Sequence, residues 1–268
     1  MENIIHTDDN TDQLVNEEMR ATAVSFTAIP SRESIEFLHK RAMQMMSTMV
    51  DFKELLMMNA CAMKEIKTKF EVLDTEFNLN YHRNPINSIS TRLKSISSIA
   101  TKMIKLNLPL TLNEIENNIH DIAGVRVICS YIDDVFQIAD ELLRQDDVTL
   151  ITKKDYITNP KPNGYRSLHL IVQIPVFFAN HRKNISVEVQ IRTIAMDFWA
   201  SLEHQIKYKQ TTEADEEFVA ELKSCAERIN LLDAEMLGLR MKMEAMTDIP
   251  TEEEELLERF SKFDMPIS

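Results

Sequence analysis

A chain of 268 residues that is 44% hydrophobic and 27% charged has the length and composition of one large globular domain with helical additions, enough to bury a substantial core. A formal net charge of −13 argues against a protein that coats nucleic acid, and no run approaches the roughly 18 apolar residues of a membrane span. The N-terminus MENIIHTDDNTDQL lacks the basic and apolar regions of a signal peptide, and Cys61, Cys129 and Cys225 show no paired spacing, so a cytoplasmic protein with reduced thiols and no membrane or DNA partner is expected.

Residues 1–28 are polar, acidic and aperiodic and read as a flexible arm. From Pro30 and Ser31 to about Phe77 the chain is rich in Met, Leu and Lys without Gly or Pro. This predicts a helical segment over 29–80, one long helix or two joined at a kink, with its Met stripe used in packing. TRLKSISSIATKMIKLN, residues 91–107, reads as a short basic loop feeding a helix. Thr111 followed three residues later by Glu114 is a capping box, so a short helix should deliver the chain to Asp121.

The pattern then turns from helix to strand. GVRVICSY is a β-rich run, DDVFQIADELLRQ an amphipathic helix opened by Asp133, and VTLITKK, SLHLIVQIPVFF and ISVEVQIR are further strands. Such alternation predicts an α/β (α+β) fold, a mixed sheet flanked by helices, with long helices at both ends of the chain. In ISVEVQIR the period of two puts Ile185, Val187, Val189 and Ile191 on one face and Ser186, Glu188, Gln190 and Arg192 on the other. That second face is either an ordinary solvated surface or a working one. TIAMDFWASLEHQIKYK is an amphipathic helix with the single tryptophan, Trp199. Phe218, Leu222, Cys225, Ile229, Leu232, Met236, Leu239, Met243 and Met246 then keep a 4,3 spacing of coiled-coil grade. This marks 211–268 as a helical oligomerisation segment, although the seam could equally pack on the protein's own body. The acidic stretch from Thr251 onward reads as a short terminal helix with a loose end.

Positive charge is concentrated mid-chain: residues 81–192 carry 14 Lys and Arg against 11 Asp and Glu, and the remainder carries 16 against 32. A basic centre in an acidic protein suits a local anion such as a nucleotide. If the strands bearing Asp121 and Glu188 are neighbours, two carboxylates at the sheet surface could hold Mg²⁺ beside phosphates, with Arg92, Lys94, Lys102, Arg126, Lys153, Lys154, Lys161 and Arg166 as the surrounding cations. Gly164, one of three glycines, precedes Tyr165 and Arg166 and implies a tight turn or a close backbone approach.

TRLKSISSIATK, HDIAGVRVI, NPKPNGYRSLHLIV and VEVQIRTIAMDFWASLEH resemble, in order and spacing, the synthetase domain of RelA/SpoT-type alarmone enzymes, most closely the small stand-alone alarmone synthetases. The resemblance covers roughly residues 81–210. It implies a nucleotidyltransferase-like core that moves the β,γ-pyrophosphate of ATP to the 3′-hydroxyl of GDP or GTP to make ppGpp or pppGpp, with Mg²⁺ as cofactor. It also implies a homo-oligomer, a tetramer as in the small relatives, with a regulatory nucleotide or single-stranded RNA as a possible further ligand.

By the same resemblance Arg92, Lys94, Ser98 and Lys102 cradle the ATP phosphates, and Arg126 packs on the adenine. Asp121 is a magnesium ligand. Tyr165 stacks on guanine, with Lys154, Lys161 and His169 near the guanosine phosphates. Glu188 assists the 3′-hydroxyl, shares the metal with Asp121 and has Gln190 beside it. Asp197 stands where many relatives carry Asn near the guanine. Larger family members also hydrolyse alarmones in a separate metal domain; the one His-Asp pair here, His120 with Asp121, lies inside the synthetase motif, so hydrolysis is not expected. The alternative is a silent relative that binds guanine nucleotide or single-stranded RNA, which would have been free to lose Asp121 or Glu188.

Overall fold

The computed structural model describes residues 32–81, 84–209 and 216–246. The expected acidic arm and terminal helix lie outside the described residues. The contacts divide the chain into two units, Met1–Val50 and Asp51–Ser268. One uninterrupted 50-residue helix, α1 (Arg32–Tyr81), takes the place of the possible kinked pair. In its first stretch Met43, Met45, Met46 and Met49 are exposed; of the Met-rich run, it is the later Met58 that is buried.

The larger unit is built on five strands, β1 (Ile86–Leu93), β2 (Ala123–Cys129), β3 (Thr149–Asp155), β4 (Leu168–Phe177) and β5 (Arg182–Thr193). Their order in the sheet is β1-β2-β5-β4-β3. The β2 and β5 strands run parallel and every other pair is antiparallel, so the sheet is mixed as expected. Between them run the helices α2 (Ile96–Lys105), α3 (Leu112–Asn118) and α4 (Ile132–Leu143), and α5 (Ile194–Lys209) and α6 (Glu216–Met246) follow.

One face of the sheet is core. Val125 and Val127 of β2, Leu170 and Val172 of β4, and Val187 and Val189 of β5 are buried against Val135, Ile138 and Leu142 of α4 and Ile66 and Phe70 of α1. A second cluster, Leu55, Ile99, Met103, Ile115, Ile119 and Ile122, binds α2 and α3 to α1. Both faces of β5 follow the period of two, and the face opposite the core carries Glu188 and Gln190.

Three local expectations change. The stretch read as a loop before α2 is the edge strand β1, most of whose residues are exposed and which owes its extended form to pairing with β2. The helix α4 opens at Tyr131, not Asp133: the Asp134 carboxylate accepts from the Tyr131 backbone N–H at 3.1 Å, while Asp133 pairs with Arg240. At α3 Thr111 accepts from Glu114 N at 3.4 Å, but the Glu114 side chain turns to Asn118 instead of closing the box.

The 4,3 seam of α6 is divided between two environments. Leu222, Cys225 and Ile229 pack with Trp199, Ala200, Ala226 and Tyr165, whereas Leu232, Met236 and Leu239 are about half exposed. Lower down the helix is held by polar contacts, Thr193 Oγ1 donating to Asp233 Oδ2 at 2.6 Å and Arg240 pairing with Asp133 over the ring of Tyr131. No helix among the described residues is long and apolar enough to cross a membrane.

Candidate active site

Residues directly opposite one another across a sheet share a face, so register alone places the site. Ser90, Arg126, Gln190, His169 and Lys154 form one row across all five strands, and Arg92, Gly124, Glu188, Ile171 and Thr152 form the next. A β-carbon at Gly124 would lie 3.4 Å from the Arg92 carbonyl oxygen and 4.0 Å from that of Glu188, so the missing side chain leaves the floor open between these two residues. Above the rows lies a cleft of about 750 Å³, lined by Arg92, Lys94, Asp121, Arg126, Tyr165, Glu188, Gln190 and Arg192, with Ser201, Glu203 and His204 of α5 as its wall.

At one end stands Asp121, just before β2. Its Oδ2 accepts from Lys94 Nζ at 2.6 Å and its Oδ1 lies 2.8 Å from Lys102 Nζ. Burial pushes its pKa up, but the two ammonium groups outweigh burial and hold the carboxyl below the usual aspartate value. Lys94 follows β1 directly, and Ser95 caps α2 by accepting from Ser98 N, which puts Ser98 in the first turn and Lys102 one turn further on. The four residues expected to cradle ATP phosphates therefore stand on the end of one strand and the first two turns of one helix.

The other end is organised by Arg192, buried at 5% exposure. It donates to Asp197 Oδ1 at 3.0 Å, to Gln190 Oε1 at 3.1 Å and to the Tyr165 hydroxyl at 2.6 Å. An arginine only donates, so the Tyr165 oxygen accepts from it and its hydroxyl donates to His169 Nε2 at 2.8 Å. The remaining ring proton of His169 is then on Nδ1, which faces Glu188 Oε1 at 3.4 Å. Gln190 Nε2 donates to the other oxygen, Glu188 Oε2, at 3.1 Å. Burial raises the Glu188 pKa; the His169 contact, aided by Gln190, outweighs burial and the nearby Asp121 charge, so this carboxyl too sits below its usual value and is ionised at neutral pH.

Lys161 lies 4.7 Å above both the Tyr156 and Tyr165 rings, and Lys154 is exposed at the β3 end of its row. Asp197 bridges Arg192 and Arg126, the latter at 3.7 Å. Of the expected site residues, Arg92, Lys94, Asp121, Arg126, Tyr165, Glu188 and Gln190 line the cleft, Lys102, Lys161, His169 and Asp197 contact those, and Ser98 and Lys154 adjoin only through the first turn of α2 and the sheet row. Sequence reading missed Gly124 as floor and Arg192 as hub. The Arg192 guanidinium, on the same strand face as Glu188, goes to Tyr165, Gln190 and Asp197. Strand periodicity puts Arg192 on the right face beside Gln190; its other partners, Tyr165 and Asp197, come from a loop and a helix that the strand pattern does not connect.

For a metal, the donor chemistry decides. Among the described residues no group of three or more His, Cys, Asp and Glu stands close enough to hold an ion. Asp121 and Glu188 are hard oxygen donors on one cleft, a set that fits Mg²⁺ in its usual mode of one or two carboxylates completed by water and substrate phosphates.

An α/β fold with Asp121 and Glu188 on one cleft over a mixed sheet, cations at one end and Tyr165 with His169 at the other, has the chemistry of a site for a phosphate-bearing ligand. The family model for the region found in RelA/SpoT proteins matches residues 91–213. The chain is 43% identical over 198 residues to the GTP pyrophosphokinase YwaC of Bacillus subtilis, covering 74% of this chain and 94% of that one. The crystal structure of small alarmone synthetase 1 from Bacillus subtilis bound to its product pppGpp superposes with a TM-score of 0.66 at 34% identity, over 72% of this chain and 97% of that one. The same synthetase bound to AMPCPP gives 0.62 at 31% identity, over 73% and 98%. The chain belongs to the RelA/SpoT family.

Proposed function

We propose that this protein is a GTP diphosphokinase that transfers the β,γ-pyrophosphate of ATP to the 3′-hydroxyl of GDP or GTP, yielding ppGpp or pppGpp and AMP. The observation that carries the reading is the two-ended cleft, with Asp121 amid Lys94 and Lys102 at one end, Tyr165 with His169 at the other, and Glu188 between them on the sheet floor. The relatives bound to pppGpp and to an ATP analogue support it, because the cleft has the dimensions of a site for nucleotide ligands.

In this reading Arg92, Lys94, Ser98 and Lys102 take the ATP phosphates, and Arg126 packs on the adenine. Tyr165 stacks on the guanine, with Asp197 at the base and Lys154, Lys161 and His169 toward the guanosine phosphates. Glu188 accepts the proton of the 3′-hydroxyl as that oxygen bonds to the β-phosphorus. The bond from the β-phosphorus to the oxygen bridging the α-phosphate breaks, and AMP leaves with its electron pair. Lys94 and Lys102, drawn from Asp121 to the phosphates, offset the charge that develops there. Asp121 and Glu188 would hold Mg²⁺, which would supply Lewis-acid polarisation of the phosphates. His169 and Gln190, bonded to Glu188, orient the carboxylate toward the acceptor.

The exposed Leu232, Met236 and Leu239 support assembly through α6, for which we take a cytoplasmic homotetramer as the form. Tyr165→Ala tests the site reading: acceptor affinity should fall by about 1 to 3 kcal/mol, the worth of a base on an aromatic ring, while ATP affinity holds. Equal losses for both nucleotides by calorimetry would remove Tyr165 from the guanine site.

A further inference from the structure

The turn that presents Tyr165 is backed by helices as well as by the sheet. Gly164 has φ +89°, and a β-carbon on it would lie 2.5 Å from the β-carbon of Ala226 and 3.3 Å from the α-carbon of Lys223, both on α6. The backbone of the turn therefore lies directly on that helix. Trp199 of α5 donates from Nε1 to the Leu222 carbonyl of α6 at 3.1 Å, and with Ala226 it forms the buried cluster against which Tyr165 packs. Gly164 N also donates to Lys161 O at 2.8 Å, so the turn is internally braced and moves as a piece.

A close-packed seam of this kind passes a displacement on instead of absorbing it. We infer that α6 positions the acceptor half of the cleft, and that Ala226, 5% exposed, is a positioning residue whose side-chain volume determines where the Tyr165 ring and hydroxyl stand. Ala226 touches no reacting atom. Its effect runs through Gly164 to Tyr165 and, by the hydroxyl, to Arg192 and His169. The phosphate-binding part of the donor half stands on β1 and α2 and is set by Asp121 with its two lysines; Arg126, on β2, meets the Tyr165 network through Asp197 at the longer distance of 3.7 Å, so volume at 226 should act chiefly on the acceptor. The inference rests on Tyr165 being the platform for the acceptor base.

The test is steady-state kinetics on Ala226→Val and Ala226→Ser, with KM for GDP and for ATP measured separately beside melting temperature, and with Tyr165→Ala run in parallel. Ala226→Val should raise the KM for GDP by about tenfold and leave that for ATP within about twofold, and Ala226→Ser should fall between it and the wild type. If Ala226→Val does not fold, Ala226→Ser carries the same comparison. A folded Ala226 variant in which the two KM values move together, or in which only the melting temperature moves, overturns the inference and leaves the Tyr165 assignment standing. A Tyr165→Ala protein with an unchanged KM for GDP overturns the assignment and the inference with it.

Discussion

Replacing Glu188 by Gln keeps the volume and the strand while removing the negative charge and the base. Its oxygens are engaged separately, Oε1 by His169 Nδ1 at 3.4 Å and Oε2 by Gln190 Nε2 at 3.1 Å. An amide has one oxygen to offer, so its NH₂ must face one of the two donors. The loss of one hydrogen bond costs about 1 to 2 kcal/mol of stability, a fall of a few degrees in melting temperature for a chain of this size. Turnover should fall far more, by roughly 10² to 10⁴-fold, because an amide cannot take the 3′-hydroxyl proton. Melting temperature and single-turnover rate, measured on one preparation with saturating ATP and GDP, separate the two effects. If the variant keeps more than about a tenth of wild-type turnover once corrected for folded fraction, the role of Glu188 as base is refuted.

Asp121→Asn should also abolish turnover while leaving GDP affinity within about twofold, and raising Mg²⁺ should restore part of its rate but none of that of Glu188→Gln, as titrated initial rates will reveal. The folded-state pKa of Asp121 is depressed, so the stability it lends is complete above the unfolded aspartate value of about 3.9 and is lost as pH falls through the lower folded value; denaturant melts of wild type and Asp121→Asn should differ at neutral pH and converge in acid. Asp233 is the reverse case: burial, against the Thr193 hydrogen bond, raises its pKa, so its charge costs stability at neutral pH, and Asp233→Asn, still able to accept from Thr193, should melt at or above the wild-type temperature. Light scattering should give about four times the 31.1 kDa chain mass for the wild type and a smaller particle for Leu232→Glu with Leu239→Glu; an unchanged particle would place the oligomer contact elsewhere.

How far these features could be read in the sequence depends on how local their causes are. The working face of β5 was legible because a buried Ile185, Val187, Val189 and Ile191 forces Glu188 and Gln190 to the opposite side. Arg92, Lys94, Ser98 and Lys102 lie close together in the chain at a readable helix start, whereas Asp121, 27 residues beyond Lys94, was tied to them by the family resemblance and not by any local pattern. The edge strand β1 was not legible: INSISTRL has weak β propensity and one fully buried residue, and it is extended because β2 pairs with it. The seam of α6 gave its period but not its partner, and the structure divides it between the body of the protein and an exposed stretch. The turn at Gly164 was predicted from its neighbours, whereas the close approach of Ala226 depends on a helix far along the chain.

The central claim is a transfer of pyrophosphate between two nucleotides in one cleft. Purified protein incubated with Mg²⁺, γ-labelled ATP and either GDP or GTP, with products resolved by chromatography, tests it directly. The account predicts label on a guanosine nucleotide carrying a 3′-pyrophosphate, with AMP released in equal amount. Label appearing as free phosphate with ADP, or remaining on ATP while both nucleotides bind, would contradict it.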